Sequence, residues 1–345
     1  MNNGSEVTMK ILLYQKNEKM MRKSGIGRAM KHQIEALNQA GVEYTLNPKE
    51  DFDLLHVNTF EPGARRMARK AHKMHKPVVY HAHSTEEDFR NSFVFSNLIS
   101  PLFKKWIVST YKLGDYLLTP TPYSKKILEG YHIDRPIQAI SNGIDLQRFE
   151  YNQEKVDKFK SYFNLKDGEK VVISVGLYFE RKGLHDFIEV AKSMPEVKFI
   201  WFGHTPLASV TQTIREAIKN KPSNVELPGY IDGDIIEGAF SSADLFFFPS
   251  YEETEGIVVL EALASKCQVL VRDIGVYDPW LVDKVNSYKG QTNEEFISLI
   301  QGLLNGSVPS TVDAGYQVAQ ERSIGAIGQQ LKEVYKKVLG GSYVD

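Results

Sequence analysis

The residues best suited to chemistry lie in one stretch, residues 249–262, which reads PSYEETEGIVVLEA. Glu253 and Glu261 stand eight positions apart, the first in a polar loop and the second inside an apolar helical pattern. Their carboxylates can accept hydrogen bonds from sugar hydroxyls. Acids that merely favour a helix N-terminus would explain Glu253 but not Glu261. Backbone N–H groups at the start of the helix could hold a phosphate, and they belong to Gly256, Ile257 and Val258.

Two adjacent cations, Arg181 and Lys182, precede Gly183 at the predicted start of another helix. The helix dipole is positive at its N-terminus, so this position ordinarily favours carboxylates over cations. A bound diphosphate would resolve the conflict, whereas two side chains extending into solvent would cost very little. The pair therefore indicates an anion site, with solvent exposure as the alternative.

A glycine-containing turn, Gly25-Ile26-Gly27, follows a predicted strand at residues 10–14 and opens a predicted helix. Glycine lets backbone N–H groups approach a phosphate, although a tight turn alone would also favour glycine. A dinucleotide-binding fold would add an acidic residue at the end of the next strand, and residues 54–58 end without one. The turn is a candidate for phosphate binding but not for NAD.

Composition limits the remaining possibilities. The 345 residues are 42% hydrophobic and 25% charged, which is typical of a globular protein with two domains. The single cysteine, Cys267, excludes an internal disulfide, and no apolar run approaches the roughly 20 residues of a membrane span. The sequence Asp232-Gly233-Asp234 lies among turn residues, so we expect no metal there. We also expect no cofactor and no nucleic-acid partner.

Strand-like and helix-like runs alternate along the chain, which predicts an α/β protein with two doubly wound parallel sheets. The predicted strands are residues 10–14, 54–58, 78–81, 116–119 and 137–140, then 171–175, 199–202, 225–227, 245–249 and 269–271. This alternation of strands and helices is interrupted near residue 150. The expected domains are residues 9–150, a linker at 151–170, a second domain at 171–325, and a helix at 326–345 that packs back toward the first domain. Ligands of such sheets bind at the carboxyl ends of the strands, so we expect one interdomain cleft.

Together these motifs resemble the retaining glycosyltransferases of family 4, whose GT-B fold has two Rossmann-like domains. The resemblance rests on the E-x7-E element from Glu253 to Glu261, the turn at residues 25–27, SNGID at residues 141–145 and residues 181–183. Residues 22–29, 81–93 and 252–264 are similar to Gram-positive synthases that add a second hexose to monoglucosyldiacylglycerol, which yields the glycolipid anchor of lipoteichoic acid. The resemblance implies a retaining, metal-independent hexosyltransferase that uses UDP-glucose or UDP-galactose as a substrate.

The resemblance also implies roles in donor binding. Glu253 would position the donor sugar and act at the reacting centre, and Glu261 would bind the ribose. Leu177 follows Gly176 where the family often has arginine, and we expect Arg181 to compensate. The residues that would hold the diphosphate are Gly25, Ile26, Gly27, Arg181 and Lys182, with Gly256, Ile257 and Val258.

His83 would be the catalytic histidine of the family. The family histidine closes a short strand and precedes a small polar residue, as His83 precedes Ser84, and this interpretation makes His81 structural. The resemblance favours attack on the face that the leaving group departs from, with the departing diphosphate helping to deprotonate the acceptor hydroxyl.

A basic segment, residues 65–76, carries six Lys and Arg residues and no acid, and an aromatic-rich amphipathic segment follows at residues 93–107. Such segments bind anionic lipid surfaces, although a solvated helix face is the alternative. Residues 1–150 hold 22 Lys and Arg against 16 acids. We expect a cytoplasmic protein that binds peripherally to the inner face of the cell membrane. The predicted membrane-binding residues are Arg65, Arg66, Arg69, Lys70, Lys73, Lys104, Lys105 and Trp106.

Three other functions stay open at this point. The chain could transfer the first glucose to diacylglycerol, or use a soluble acceptor. Because a fold does not fix a function, a regulatory protein that binds a nucleotide sugar without activity is the non-enzyme alternative.

Overall fold

The computed structural model describes residues 9–14, 25–278 and 280–341, and the chain divides into two compact units. Unit 1 combines the chain up to Thr85 with Leu102–Gly143 and the segment from Arg322 onward. Unit 2 combines Glu86–Pro101 with Ile144–Glu321. Within the described residues, no helix has both the length and the apolar character that crossing a bilayer requires.

Unit 1 is built on a six-stranded parallel sheet with the strand order β2-β1-β3-β4-β5-β6. Its strands are β1 (Lys10–Tyr14), β2 (Glu43–Thr45), β3 (Leu54–Val57), β4 (Val78–His81), β5 (Tyr116–Thr119) and β6 (Ile137–Ala139). The five predicted strands are confirmed. The edge strand β2 escaped prediction because three residues with one buried side chain give no readable alternation.

Unit 2 repeats this architecture with the strand order β12-β11-β10-β7-β8-β9, again in parallel. Its strands are β7 (Val171–Val175), β8 (Lys198–Phe202), β9 (Val225–Gly229), β10 (Leu245–Phe248), β11 (Val269–Arg272) and β12 (Tyr288–Gly290). The central strand β10 is apolar throughout and its neighbours are mostly apolar, because helices cover both faces of such a sheet. The short edge strand β12 was not predicted.

Helices fill the intervals between the strands. They are α1 (Gly25–Gln39), α2 (Pro62–Lys73), α3 (Glu86–Phe89), α4 (Ser96–Tyr111), α5 (Pro122–Glu129), α6 (Gln153–Tyr162), α7 (Leu184–Lys192), α8 (Gln212–Lys219), α9 (Asp234–Ser242), α10 (Ile257–Ala264), α11 (Asn293–Leu304), α12 (Val312–Glu321) and α13 (Ile324–Leu339). Helical apolar spacing in the sequence predicts helices at residues 63–75, 98–113, 184–194 and 257–265, and the observed helices differ from these four only by a few residues at their ends.

The last helix, α13, belongs to unit 1 and packs on α1. Gly328 makes this packing possible, because a Cβ at that position would lie 2.1 Å from the carbonyl oxygen of Ala36. Ile327, Leu331 and Tyr335 of α13 join the buried cluster under β1, β3 and β4. Unit 1 is therefore assembled from sequence segments that lie far apart in the chain.

Residues 86–101, which we expected in the N-terminal domain, cluster with unit 2. Arg181 explains this placement, since its backbone N–H donates to Asn91 O at 2.9 Å and its guanidinium lies 2.9 Å from Asp88. The Val94 N–H also donates to Ser209 O. These contacts join residues that are about ninety or more positions apart, which sequence periodicity does not report.

Candidate active site

Gly256 is the N-cap of helix α10 and occupies the left-handed region at a φ of 86°. A side chain there would be strained, so glycine is the residue that this turn from β10 into α10 requires. The first N–H groups of a helix have no partner within the helix. Gly256, Ile257 and Val258 therefore present backbone donors at the start of α10, and their contact with a phosphate stays a prediction.

Glu253 lies in the loop before α10 and contacts the ammonium group of Lys182. Ser250 Oγ donates to Glu253 Oε1 at 2.7 Å, and the carboxylate is only 7% exposed. The Lys182 side chain is 15% exposed and lies over the ring of Phe248, at 5.4 Å from the centroid. The structure thus brings together two predicted site residues that are 71 positions apart in sequence.

Burial and charge oppose each other in this pair. Burial alone would raise the pKa of the Glu253 carboxyl, but Lys182, Arg181 and Ser250 together hold that pKa below its ordinary value. Burial lowers the pKa of Lys182, although Glu253 partly opposes the shift. A buried ion pair of this kind is costly unless its charges serve a function, which makes it a site candidate on physical grounds.

Arg181 is placed differently from the expectation. Its buried guanidinium donates from Nε to Ser92 Oγ at 3.0 Å and from Nη1 to Glu252 O at 2.9 Å, and Nη2 pairs with Asp88. Each nitrogen thus has a protein partner, so the adjacent cations do not both extend into solvent. The side chain ties residues 88–92 to the loop after β10, and any contact with a diphosphate would compete with these bonds.

Glu261 lies inside α10 and is 3% exposed. Its charge adds to the field at Arg148, whose guanidinium donates to Glu237 Oε1 at 2.7 Å. These acids outweigh burial and raise the pKa of Arg148. The buried Glu261 carboxylate, on a mostly apolar helix, therefore interacts electrostatically with Arg148. The sequence alone had offered no candidate for this cation.

The two aspartates of the D-x-D sequence lie in ion pairs. Arg148 Nη2 is 3.5 Å from Asp232, and Lys158 Nζ is 2.7 Å from Asp234. Across the part of the chain that the structure describes, no group of three or more His, Cys, Asp or Glu residues is arranged to hold a metal ion.

The predicted glycine turn of unit 1 forms the first residues of α1. Gly25, Ile26 and Gly27 lie there in helical conformation, and a Cβ at Gly25 would meet no atom within 4 Å. The preceding Ser24, which we counted in the same motif, lies outside the described residues. Open space and helix N–H groups are what a phosphate would need at this position.

His83 follows β4 in unit 1 and is 7% exposed. Its ring stacks on His81 with centroids 4.1 Å apart, and its Nε2 lies 2.9 Å from Asn58 Oδ1. Burial lowers the pKa of His83 to about 3, so its imidazole is neutral at physiological pH. Asn58 escaped the sequence analysis, although a polar residue just after a central parallel strand was the available signal.

The predicted membrane-binding residues lie on α2 and α4. Four of the predicted cations are exposed on α2: Arg66, Arg69, Lys70 and Lys73. Arg65 differs from them, because its guanidinium lies 4.5 Å over the Trp106 ring and donates to Ser109 and Thr110. Lys104 lies 4.3 Å over the ring of Tyr131, whereas Lys105 is exposed.

Helix α4 buries Ile107 and Tyr111 but exposes large apolar side chains on another face. Leu98 is 77% and Leu102 is 68% exposed, and Trp106 on the same face is 38% exposed. Contiguous exposed apolar side chains mark an interaction surface rather than a core.

Two family models match the chain. One, described as glycosyl transferases group 1, matches residues 155–319, and the other, described as glycosyltransferase family 4, matches residues 44–148.

Among curated proteins, the chain is 51% identical to a processive diacylglycerol alpha-glucosyltransferase of Acholeplasma laidlawii, over 96% of this chain and 99% of that protein. It is 24% identical to an alpha-galactosylglucosyldiacylglycerol synthase of Streptococcus pneumoniae, over 73% of this chain and 70% of the relative. Both likenesses extend over most of each protein.

Among solved structures, Anabaena Alr3699/HepE in complex with UDP and glucose is similar in fold. The TM-score is 0.75 at 16% identity, and the match covers 95% of this chain and all of the other.

Proposed function

Because this chain belongs to the GT-B glycosyltransferases of group 1, we propose that it moves glucose from UDP-glucose to diacylglycerol and then to the glucosyl lipid so formed. The observation that carries the proposed site is the buried Lys182–Glu253 pair beside the N-terminus of α10. Cation, carboxylate and helix N–H groups are the three contacts that a sugar diphosphate requires.

The acceptor is proposed from the likeness to the Acholeplasma laidlawii enzyme, whose name specifies diacylglycerol and processive transfer. The sequence motifs alone predicted monoglucosyldiacylglycerol as the acceptor and transfer of the second hexose. The first-step alternative is better supported, and a processive enzyme would carry out both steps. The donor is proposed to be UDP-glucose rather than UDP-galactose for the same reason.

In the proposed donor complex, Lys182 and the N–H groups of Ile257 and Val258 bind the diphosphate, and Glu261 binds the ribose. The helix start at Gly25–Gly27 contributes further N–H groups. Glu253 accepts hydrogen bonds from the sugar hydroxyls while Lys182 keeps its carboxylate ionised. Preorganised donors of this type stabilise the charge that develops on a leaving diphosphate and are often the largest catalytic contribution.

Transfer is proposed to retain the anomeric configuration. The bond between the anomeric carbon and the diphosphate breaks, the acceptor oxygen bonds to the same face, and the acceptor proton passes to the departing diphosphate. Lys182 and helix N–H groups stabilise the negative charge on the departing diphosphate, so the proposed reaction needs no metal ion. His83, neutral and beside the end of β4, is proposed to contact the reacting sugar.

Peripheral membrane binding is proposed because a lipid acceptor must be reached from its bilayer. The exposed cations of α2 and the exposed apolar face of α4 supply electrostatic attraction and apolar insertion, which together anchor proteins more firmly than either alone.

The test is transfer of radiolabelled glucose or galactose from the UDP-sugars to liposomes that contain either diacylglycerol or monoglucosyldiacylglycerol. We expect label from UDP-glucose in both monoglucosyl and diglucosyl lipids when diacylglycerol is supplied. Label only with monoglucosyldiacylglycerol would restore the second-step assignment, and label from UDP-galactose alone would change the donor. No lipid product with either acceptor would reject the proposal in favour of a soluble acceptor or a binding role.

A further inference from the structure

A continuous chain of buried side-chain contacts ends at His83. Asn58 Nδ2 donates to Gln33 Oε1 at 2.7 Å, and Asn58 Oδ1 lies 2.9 Å from Nε2 of His83. At the other end, Gln33 Nε2 lies 2.8 Å and the Tyr335 hydroxyl 2.7 Å from Nδ1 of His56. The chain joins α1, β3 and α13 of unit 1, and none of its five side chains belongs to a residue more than 7% exposed.

The order of donors and acceptors along this chain determines which nitrogen of His83 carries the proton. An amide has one donor end and one acceptor end. Because Asn58 uses its donor end on Gln33, only its carbonyl oxygen faces His83, and that oxygen accepts a hydrogen bond from Nε2–H. The second nitrogen, Nδ1, then keeps its lone pair.

We propose that Asn58 is a positioning residue that holds His83 in the Nε2–H tautomer, so that Nδ1 accepts a hydrogen bond from a substrate hydroxyl. A buried imidazole with one nitrogen fixed by a second residue is the usual way in which proteins set the tautomer of a functional histidine. This inference rests on the proposed function for the identity of the substrate, but the tautomer itself does not depend on it.

The surroundings of His83 keep its ring neutral, as an acceptor nitrogen requires. The titratable groups stacked on the ring or linked to it are His81, His56 and, at the end of the chain, Tyr335. Burial lowers the pKa of His56 to about 3 and that of His81 well below its ordinary value, so neither ring brings a positive charge at pH 7.

A small pocket beside the ring offers a place for such a hydroxyl. Its lining includes Asn58, His81, His83 and Ser141, and it has room for about one water-sized group. Neither ring nitrogen of His81 has a hydrogen-bond partner among the described residues, and the residue is 5% exposed. A hydroxyl in the pocket would meet donors and acceptors from several side chains.

The test combines the tautomer with the pH profile of transfer. In protein labelled with ¹⁵N-histidine, the His83 signals, assigned by their loss in His83→Gln, should show a neutral ring protonated at Nε2. In Asn58→Leu, which removes the amide at similar volume, we expect loss of this fixed tautomer and about a tenfold decrease in kcat.

Asn58→Asp supplies the conservative variant. Its carboxylate still accepts from Nε2–H, so activity should recover at pH 8. The new charge raises the pKa of His83, so turnover should fall as the pH decreases toward 5.5, whereas the unmodified enzyme shows no such loss from His83. Asn224→Ala is the control, because Asn224 donates only to the backbone carbonyls of Ala191, Met194 and Val197. It should lower Tm without changing the pH profile.

Protonation of His83 at Nδ1 in the unmodified protein would overturn the proposal, as would an unchanged tautomer and kcat in Asn58→Leu. If the Nε2–H signal is present and lost in Asn58→Leu while no variant makes a glucolipid, the positioning role stands and the proposed function fails.

Discussion

Replacing Lys182 by methionine should show how much the free energy of unfolding decreases when Glu253 loses its buried partner. The substitution keeps most of the side-chain volume, so the change in the free energy of unfolding reports charge rather than packing. The carboxylate of Glu253 is 7% exposed and would keep Ser250 and the more distant Arg181, at 3.9 Å, but lose the cation in direct contact with it. Removing one partner of a buried pair costs about 3–5 kcal/mol. Domains of ordinary stability, about 5–15 kcal/mol, survive this loss, so the variant should fold.

The size of this loss should depend on pH in a defined direction. In the unmodified protein the pKa of Glu253 is lowered, so the stability that it contributes is present above its ordinary pKa and lost as the pH falls through the lowered value. In Lys182→Met the main cation is gone, so burial, opposed only by Arg181 and Ser250, shifts that pKa upward. Without Lys182 the carboxylate takes up a proton more readily as the pH decreases, so the difference in stability between the two proteins should shrink from pH 8 toward pH 5.

Urea denaturation of both proteins at pH 8, 7, 6 and 5 measures this difference. The matched control is Lys158→Met, which breaks an ion pair with Asp234 in which both side chains are nearly half exposed. Exposed pairs contribute about 0–1 kcal/mol, so the control should lose little at any pH. A loss below about 1 kcal/mol in Lys182→Met, or one of constant size over the whole pH range, would refute the argument from burial.

Further experiments address the ligand-binding and membrane-facing surfaces. Gly256→Ala forces a side chain into the left-handed region near the Tyr277 hydroxyl, so we expect a stability loss of about 1–2 kcal/mol and weaker UDP binding by calorimetry; unaltered UDP affinity would separate this helix start from the diphosphate. Replacing Leu98 and Leu102 by serine should reduce liposome sedimentation without lowering Tm, because both side chains are exposed; a lower Tm would mean that they pack in the fold. Replacing the four exposed cations of α2 by glutamine should weaken binding to anionic liposomes by about 1 kcal/mol for each charge, and neutral liposomes are the control; equal binding would reject the basic surface. A chelator should leave glucosyl transfer intact, and loss of activity that Mg²⁺ restores would contradict the metal-independent mechanism.

Strands and glycine turns were readable from sequence because their signals are local. Apolar runs ended by polar residues located ten of the twelve strands that the structure describes, whereas β2 and β12 are three-residue edge strands that contain no run of apolar residues. Glu253 and Lys182 could each be named as candidates. Their contact could not, since it depends on the alignment of β7 beside β10 in the sheet.

Arg181 and Asn58 differ from the predictions because their contacts are with residues far away in the sequence, which hydrophobic periodicity cannot reveal. Arg181 was assigned to an anion because cations are unfavourable at a helix start, yet Asp88, Ser92 and a backbone carbonyl satisfy its guanidinium from distant parts of the chain. Asn58 looked like the end of a strand and had no obvious partner. Its importance depends on Gln33 and His83, which lie 25 positions away on either side.

The packing of α13 against α1 also sets an order for folding during synthesis. A ribosome releases residues 9–143 long before residues 324–339, so the apolar surface that Ile327, Leu331 and Tyr335 will cover stays open while unit 2 emerges. The N-terminal part of the chain therefore completes its folding last, in contrast to the usual N-terminal-first order. A nonsense mutation or a protease that removes only the final helix would leave unit 2 intact and deprive unit 1 of part of its core.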